Sequence, residues 1–182
     1  MPTIGLIPSS LVGPFTWSLV PAELQRRGQA AVVPDLHGTG VDEKRPYCRQ
    51  HAQNAASTLL DLPVEQTIIL VAHSGAGPLL PIIRQQLPHP IAAYLFVDAG
   101  IPHDGLSRLE LLAAELPEMA PRLRELLASG QPWPQWRDED LANLVPDGVR
   151  RKKLLAELKP QPLAFFDEPI PVFPGWPDAP CA

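Results

Sequence analysis

Four short apolar runs rich in β-branched residues set the main constraint on the fold of this chain. They cover residues 3–7, 30–33, 67–72 and 91–97. Runs of this length and composition are typical of strands that are buried on both faces of a sheet. The stretches between them, at 17–27, 45–60 and 77–87, have the length and pattern of helices. Strands that alternate with helices predict an α/β fold, a mostly parallel sheet flanked by helices on both faces.

Beyond residue 102 the strand pattern gives way to short helical patterns that are broken by proline and glycine. These patterns cover residues 106–114, 121–128, 135–144 and 149–158. They predict a helical lid after the fourth strand. We therefore expect an α/β core at 1–104, the lid at 105–159, and a proline-rich tail at 160–182 that leads toward closing strands missing from the sequence.

Composition excludes several classes of partner. A count of 15 Lys and Arg against 20 Asp and Glu gives a net charge of -5, which disfavours nucleic acid because phosphate recognition needs clustered cations. The two cysteines, Cys48 and Cys181, suit neither a disulfide framework nor a metal site. No apolar run approaches the ~18 residues that span a bilayer, and the N-terminus lacks the pattern of a signal peptide. We expect a cytoplasmic protein with no membrane or metal partner.

The sharpest functional signal follows the third strand. There the chain reads His73-Ser74-Gly75-Ala76-Gly77 and then continues as a helix. A serine between small residues on a tight strand-to-helix turn is typical of a nucleophile, because the turn exposes its hydroxyl above the sheet. Backbone N–H groups at the start of the helix can then stabilise an oxyanion. The alternative is that Ser74 only caps the helix, and the surrounding pattern favours the nucleophile.

Three stretches resemble the α/β-hydrolase superfamily, particularly its small esterase and hydroxynitrile-lyase-like branch. Residues 72–77 are similar to the nucleophile elbow, with Ala72 and Ala76 where glycine is more usual. Residues 6–17 are similar to the strand and oxyanion loop, with Pro8-Ser9 in place of His-Gly. Residues 33–40 are similar to the Pro-Asp-Leu-x-Gly-x-Gly turn of the family.

The resemblance implies a serine hydrolase that acts on a small ester or acyl substrate through Ser74 and needs no cofactor. It implies oxyanion donors at the backbone N–H groups of Ser10 and Gly75. Asp98 closes the fourth strand, where some members carry the catalytic acid, although an Asp before Ala-Gly also suits a turn. Asp178, in the tail, is a weaker alternative for the acid.

The expected catalytic histidine is absent. In the family it follows the last strand, whereas no histidine of this chain lies beyond His103. We therefore expect an incomplete triad. Only His37 and His103 lie on predicted loops near Ser74 as possible substitute bases, and a turn or lid role is the commoner use of such residues. His73 should project away from the nucleophile and pack the elbow.

Two functional hypotheses remain open at this stage. One is an esterase-like serine hydrolase, and the other is a catalytically incomplete hydrolase fold that binds an apolar ligand or a partner without turnover. Aromatic residues of the lid and tail either line an acyl pocket or cover the core: Trp133, Trp136, Phe165 and Phe166. An open sheet edge also predicts marginal stability or self-association.

Overall fold

The predicted parallel sheet is confirmed. A computed structural model of the protein describes residues 1–38 and 45–182. Its strands are β1 (Thr3–Ile7), β2 (Ala31–Val32), β3 (Ile68–His73) and β4 (Ile91–Val97). All pairings are parallel, in the order β2-β1-β3-β4. Because Ile7 pairs with Ala72 and His73 pairs with Val97, the carboxyl ends of β1, β3 and β4 meet at one edge, where parallel sheets bind their ligands.

Helices cover both faces of this sheet. On one face lie α2 (Tyr47–Leu59) and α3 (Leu80–Gln85), which pack with strand residues such as Ile7 and Leu70. On the other face, α1 (Val20–Arg26) and a 3-10 turn at Pro14–Trp17 pack over Leu6 and Val71. Successive strand residues thus point to opposite faces, and both faces are apolar because both are covered.

The segment after β4 is helical, as the sequence predicts. It contains α4 (Arg108–Glu115), α5 (Met119–Ala128), a 3-10 turn (Glu139–Leu141), α6 (Gly148–Ala156) and α7 (Leu163–Phe166). Ser107 and Glu110 form a capping box that starts α4. These helices share a second apolar cluster of Leu11, Tyr47, Leu109, Leu123, Leu127, Phe165 and Phe166. The short α7 was not predicted, and the boundaries between core, lid and tail stay predictions.

The proline-rich tail returns to the sheet. Tyr94 donates a backbone hydrogen bond to Pro180 and accepts one from Ala182, so residues 180–182 run parallel beside β4. Residues 171–173 of the tail do not form a strand. Asp178 accepts a hydrogen bond from the Tyr94 hydroxyl and forms an ion pair with Arg84 at 2.8 Å. No helix within the described residues is both long enough and apolar enough to cross a membrane.

Candidate active site

Ser74 has the strained backbone that the elbow pattern predicts. His73 ends β3 in an extended conformation, with φ -108 and ψ 131. Ser74 then has φ 52, in the left-handed region that side chains with a Cβ rarely adopt. A strained residue at the end of a buried strand signals a functional constraint rather than a simple helix cap.

Small neighbours allow this turn to close. Ala72 and Ala76 are both fully buried. A Cβ added to Gly77 would overlap the carbonyl oxygen of Gly100, which belongs to the loop after β4. The glycine of the elbow pattern is therefore needed for the close approach of two backbones, and this is the physical reason for the spacing in the sequence.

The two proposed oxyanion donors lie in segments that touch each other and line the same cavity. Ser10 belongs to the loop after β1, and Gly75 lies in the first turn after Ser74, where backbone N–H groups lack partners within the helix. A Cβ on Gly75 would lie 3.3 Å from the Ser9 hydroxyl oxygen, so the two loops touch. The Ser9 hydroxyl also accepts a 3.4 Å hydrogen bond from the N–H of Leu11.

Asp98 lies at the neighbouring strand end. It has φ 46, and with Ser74 it completes the set of non-glycine residues with positive φ in the described ranges. Asp is one of the few side chains that tolerate this conformation. Asp98 lies in a bend after β4, and its role as a catalytic acid stays a prediction.

A cavity of about 260 Å³ joins these residues. Ser10, Ser74, Gly75 and Asp98 line it, together with residues of the lid and tail that are mostly apolar. Its apolar lining residues include Leu11, Pro78, Leu111, Leu112, Leu116, Met119, Leu123, Trp133, Phe165 and Phe166. Trp136 is not among them; it packs against Trp133, with ring centroids 5.6 Å apart.

The histidines lie away from this cavity. All five are in the part of the chain that the structure describes, and none lines the cavity. His37 is buried and packs edge to face against His51, with centroids 5.0 Å apart, whereas His103 is exposed. His73 packs against Trp17, and burial lowers its pKa although the charge of Asp98 opposes the shift. Neither His37 nor His103 lines the cavity into which Ser74 opens.

Sequence reasoning missed two charged residues that line the cavity, the exposed Glu115 and the buried Arg108. Arg108 lines the cavity from the first turn of α4, yet it is only 8% exposed. Its guanidinium carbon lies 3.9 Å from the centroid of the Phe165 ring. The Ser107 capping box signals where α4 begins, but nothing in the sequence indicates that the next side chain points inward.

A carboxylate of the lid anchors the loop that carries Ser10. The Glu157 carboxylate, at the end of α6, accepts a 2.8 Å hydrogen bond from the N–H of Phe15. Gly13 allows this contact, since a Cβ there would overlap Glu157. Lys159 donates a backbone hydrogen bond of 2.9 Å to the carbonyl oxygen of Leu11. The lid therefore fixes the loop at two points.

Part of the family-like pattern lies outside the described residues. The turn after β2 is described as far as Gly38, so Thr39 and Gly40 of the third stretch cannot be placed. Asn54 holds the described part by a 2.8 Å hydrogen bond to the carbonyl oxygen of Leu36. Within residues 1–38 and 45–182, no group of three His, Cys, Asp or Glu side chains is arranged to hold a metal ion.

A parallel sheet with a left-handed serine after a central strand, an adjoining loop after the first strand and a set of helices after the fourth strand is the arrangement of hydrolases built on a nucleophile elbow. A model of the alpha/beta hydrolase family matches residues 6–182. The chain belongs to that family, as its sequence predicts.

Known relatives agree with this assignment. Methylesterase 1 of Arabidopsis thaliana is 28% identical over 123 residues, which cover 63% of this chain and 47% of the relative. Methylesterase 8 of the same plant is 27% identical over 101 residues, which cover 53% of this chain and 37% of the relative. The matches thus span about half or less of these curated relatives.

Solved structures share the fold. An extracellular alpha/beta-hydrolase from a Paenibacillus species, described as a structural and functional homologue of tobacco salicylic acid binding protein 2, has a TM-score of 0.69 and 23% identity. That match covers 94% of this chain and 72% of the other. Polyneuridine aldehyde esterase gives a TM-score of 0.61 at 16% identity, covering 91% and 71% of the two chains.

Proposed function

We propose that this protein hydrolyses a small carboxylic ester, with the Ser74 hydroxyl as its nucleophile. The observation that carries the proposal is the left-handed Ser74 at a strand-to-helix turn that opens into a largely apolar cavity. The names of the methylesterase relatives support an ester as the substrate. The earlier expectation that the reaction needs no cofactor stands as part of this proposal.

The chemistry follows from the positions of the groups around Ser74. The serine oxygen attacks the ester carbonyl carbon while a base accepts its proton, and the carbonyl oxygen becomes an oxyanion. The N–H groups of Ser10 and Gly75 donate to that oxyanion. The alcohol then leaves, and water hydrolyses the acyl-enzyme by the same route. Asp98, which lines the cavity, is the candidate to orient the base.

The apolar walls select the organic part of the substrate. Leu111, Leu123 and Phe165 are buried side chains that line the cavity. Apolar groups of an ester gain free energy by leaving water for such a surface, and most of the residues that line the cavity are apolar. A compact ester with an aliphatic or aromatic portion fits a cavity of about 260 Å³.

A second candidate function rests on a specific observation. None of the five histidines, all of them described, lines the cavity. A serine without a base is a poor nucleophile, because its hydroxyl stays protonated at neutral pH. The chain would then bind an apolar ligand or a partner without turnover.

The test is covalent labelling of the purified protein by a fluorophosphonate, followed by intact-mass measurement. The reagent reports an activated serine without knowledge of the substrate. We expect one label per chain, lost in Ser74→Ala. The matched control is Ser129→Ala, since Ser129 is an exposed serine at the end of α5. That variant should label like the parent protein.

Added imidazole separates the two candidate functions, because it can replace a missing histidine base. Labelling of Ser74 without imidazole supports turnover by the chain as given, and His37→Ala and His103→Ala then test those residues as bases. Labelling only with imidazole supports Ser74 as the nucleophile and shows that the base is lacking. No labelling of a folded chain under either condition contradicts the esterase proposal and favours binding without turnover.

A further inference from the structure

Arg108 is a buried cation whose hydrogen-bonding capacity is mostly unused. Two of its donor nitrogens, Nε and Nη2, are buried and have no hydrogen-bond partner within the described part of the chain. The third, Nη1, donates to the carbonyl oxygen of Phe165 at 3.4 Å, which is long for such a bond. Buried charges in proteins are normally paired, so Arg108 lacks the partner that its burial requires.

Glu168 is a buried carboxylate that could pair with Arg108, but it already accepts other hydrogen bonds. Both oxygens of the buried Glu168 accept backbone hydrogen bonds at the start of α2, from Tyr47 at 2.8 Å and from Cys48 at 2.7 Å. Glu168 and Arg108 are both described, and no ion pair joins them. Two further carboxylates line the cavity, Asp98 and Glu115, but both are exposed to solvent.

Arg108 keeps its charge in this setting. Burial lowers its pKa to about 10, against the opposing influence of Cys48 and Glu168. The guanidinium is therefore cationic at neutral pH. Its guanidinium carbon also lies over the Phe165 ring, an arrangement that favours the cationic form.

We propose that Arg108 binds a carboxylate of the ligand in this cavity, so that the ester attacked by Ser74 carries a free carboxylate elsewhere in the molecule. The planar fork of an arginine matches the two oxygens of a carboxylate. Arg108 and Ser74 line one cavity, so a half-ester of a short dicarboxylic acid can place its ester carbonyl at Ser74 and its carboxylate at Arg108. The substrate class assigned here rests on the proposed esterase function.

The test measures binding rather than turnover. The probes are the monomethyl esters of succinic, glutaric and adipic acid, each compared with its dimethyl ester by isothermal titration calorimetry at pH 7.5. Ser74→Ala is the parent protein, so that nothing is hydrolysed. We expect at least one monomethyl ester to bind about tenfold tighter than its neutral dimethyl ester, the size of effect that a charge-assisted hydrogen bond gives.

Arg108→Gln in that background should abolish the preference and leave the affinity for the dimethyl ester unchanged. The matched control is Arg124→Gln, which removes the same charge from an exposed arginine of α5 that pairs with Asp167. It should keep the preference. The proposal is overturned if no monomethyl ester is preferred, or if the preference survives in Arg108→Gln.

Stability distinguishes binding from a merely structural role. If Arg108 serves the ligand rather than the fold, the melting temperature of Arg108→Gln without ligand should stay close to that of the parent. A lower melting temperature with unchanged binding overturns the proposal.

If Arg108→Gln does not fold, Arg108→Lys is used for the binding test instead, because it keeps the positive charge but lacks the planar fork of the guanidinium. Weaker binding of the monomethyl ester to Arg108→Lys supports the proposal, and unchanged binding overturns it. Failure of phosphonate labelling would contradict the esterase proposal. The binding measurements would still show whether Arg108 binds a carboxylate, because they do not depend on turnover.

Discussion

At the scale of single residues, the left-handed backbone of Ser74 is predicted to lower the stability of the fold, while the Ser74 hydroxyl is needed for reactivity. A residue with a Cβ in the left-handed region costs about 1–2 kcal/mol, and glycine relieves this at an entropic cost of about 0.5–1 kcal/mol. Ser74→Gly should therefore raise the free energy of unfolding by up to about 1 kcal/mol, measured by urea denaturation, while it abolishes phosphonate labelling.

Ser74→Ala is the control for this prediction. It also removes the hydroxyl, but it keeps the Cβ at φ 52, so its stability should stay close to that of the unchanged protein. If Ser74→Gly and Ser74→Ala unfold at the same urea concentration, the left-handed conformation stores no strain.

Single residues differ in how far the sequence can predict them. Ser74 could be predicted because its conformation depends on a local pattern of small neighbours. Arg108 could not, because its burial depends on Phe165 and Glu168, more than fifty residues away along the chain. A charged residue at the start of a lid helix is usually solvated, and only the packed structure shows that this one faces the cavity.

At the scale of elements, the contact between α6 and the loop after β1 predicts a positioning role for Glu157. Its carboxylate holds the N–H of Phe15 at 2.8 Å, five residues beyond the proposed oxyanion donor Ser10. Glu157→Ala should release this end of the loop. We expect slower phosphonate labelling of Ser74, by about tenfold, because misplaced oxyanion donors weaken stabilisation of the transition state.

Glu157→Gln distinguishes the positioning effect of the hydrogen bond to Phe15 from the effect of the carboxylate charge. Its amide oxygen can still accept the hydrogen bond from Phe15, so labelling should stay within about twofold of the parent rate, a loss much smaller than that of a removed hydrogen bond. The rate is compared with the melting temperature of each variant. If Glu157→Ala lowers the melting temperature without slowing labelling, the contact stabilises the fold but does not position the loop.

The bounds of strands with continuous apolar patterns could be predicted from the sequence. The type and length of helices that contain proline could be predicted less well. The bounds of β1 and β4 match the apolar runs at 3–7 and 91–97. After β3, however, the helix predicted at 77–87 is a 3-10 turn at Ser74–Leu79 followed by the short α3. Pro78 lies within that turn, and a proline removes a backbone N–H that an α-helix would use. The helix predicted at 135–144 is likewise a single 3-10 turn.

At the scale of the whole molecule, the tail links distant parts of the fold. Sequence patterns identify it only as proline-rich, because its contacts are with residues far away along the chain. Glu168 caps α2, α7 packs beneath the lid, and residues 180–182 pair with β4. The expectation of marginal stability and self-association stays a prediction.

The link between Asp178, Tyr94 and Arg84 predicts how the stability of the whole fold changes with pH. Burial opposes ionisation of Asp178, but hydrogen bonds from Tyr94 and Arg84 outweigh it and lower the pKa of its carboxyl. A carboxyl whose pKa is lower in the folded state stabilises the fold above its unfolded pKa, near 4, and loses this effect as the pH falls through the folded pKa. Asp178 therefore contributes fully at pH 7 and loses this contribution as its carboxylate is protonated in acid.

Asp178→Asn tests this directly, because it keeps the shape and removes the charge. We expect the variant to be less stable than the parent by about 1 kcal/mol at pH 7, a modest value since the pair is partly exposed. The gap should close as the pH is lowered from 5 to 2, as followed by urea denaturation. Asp61→Asn, at an exposed carboxyl just after α2, should match the parent throughout. A gap that persists or widens in acid would show that Asp178 acts through packing rather than through its charge.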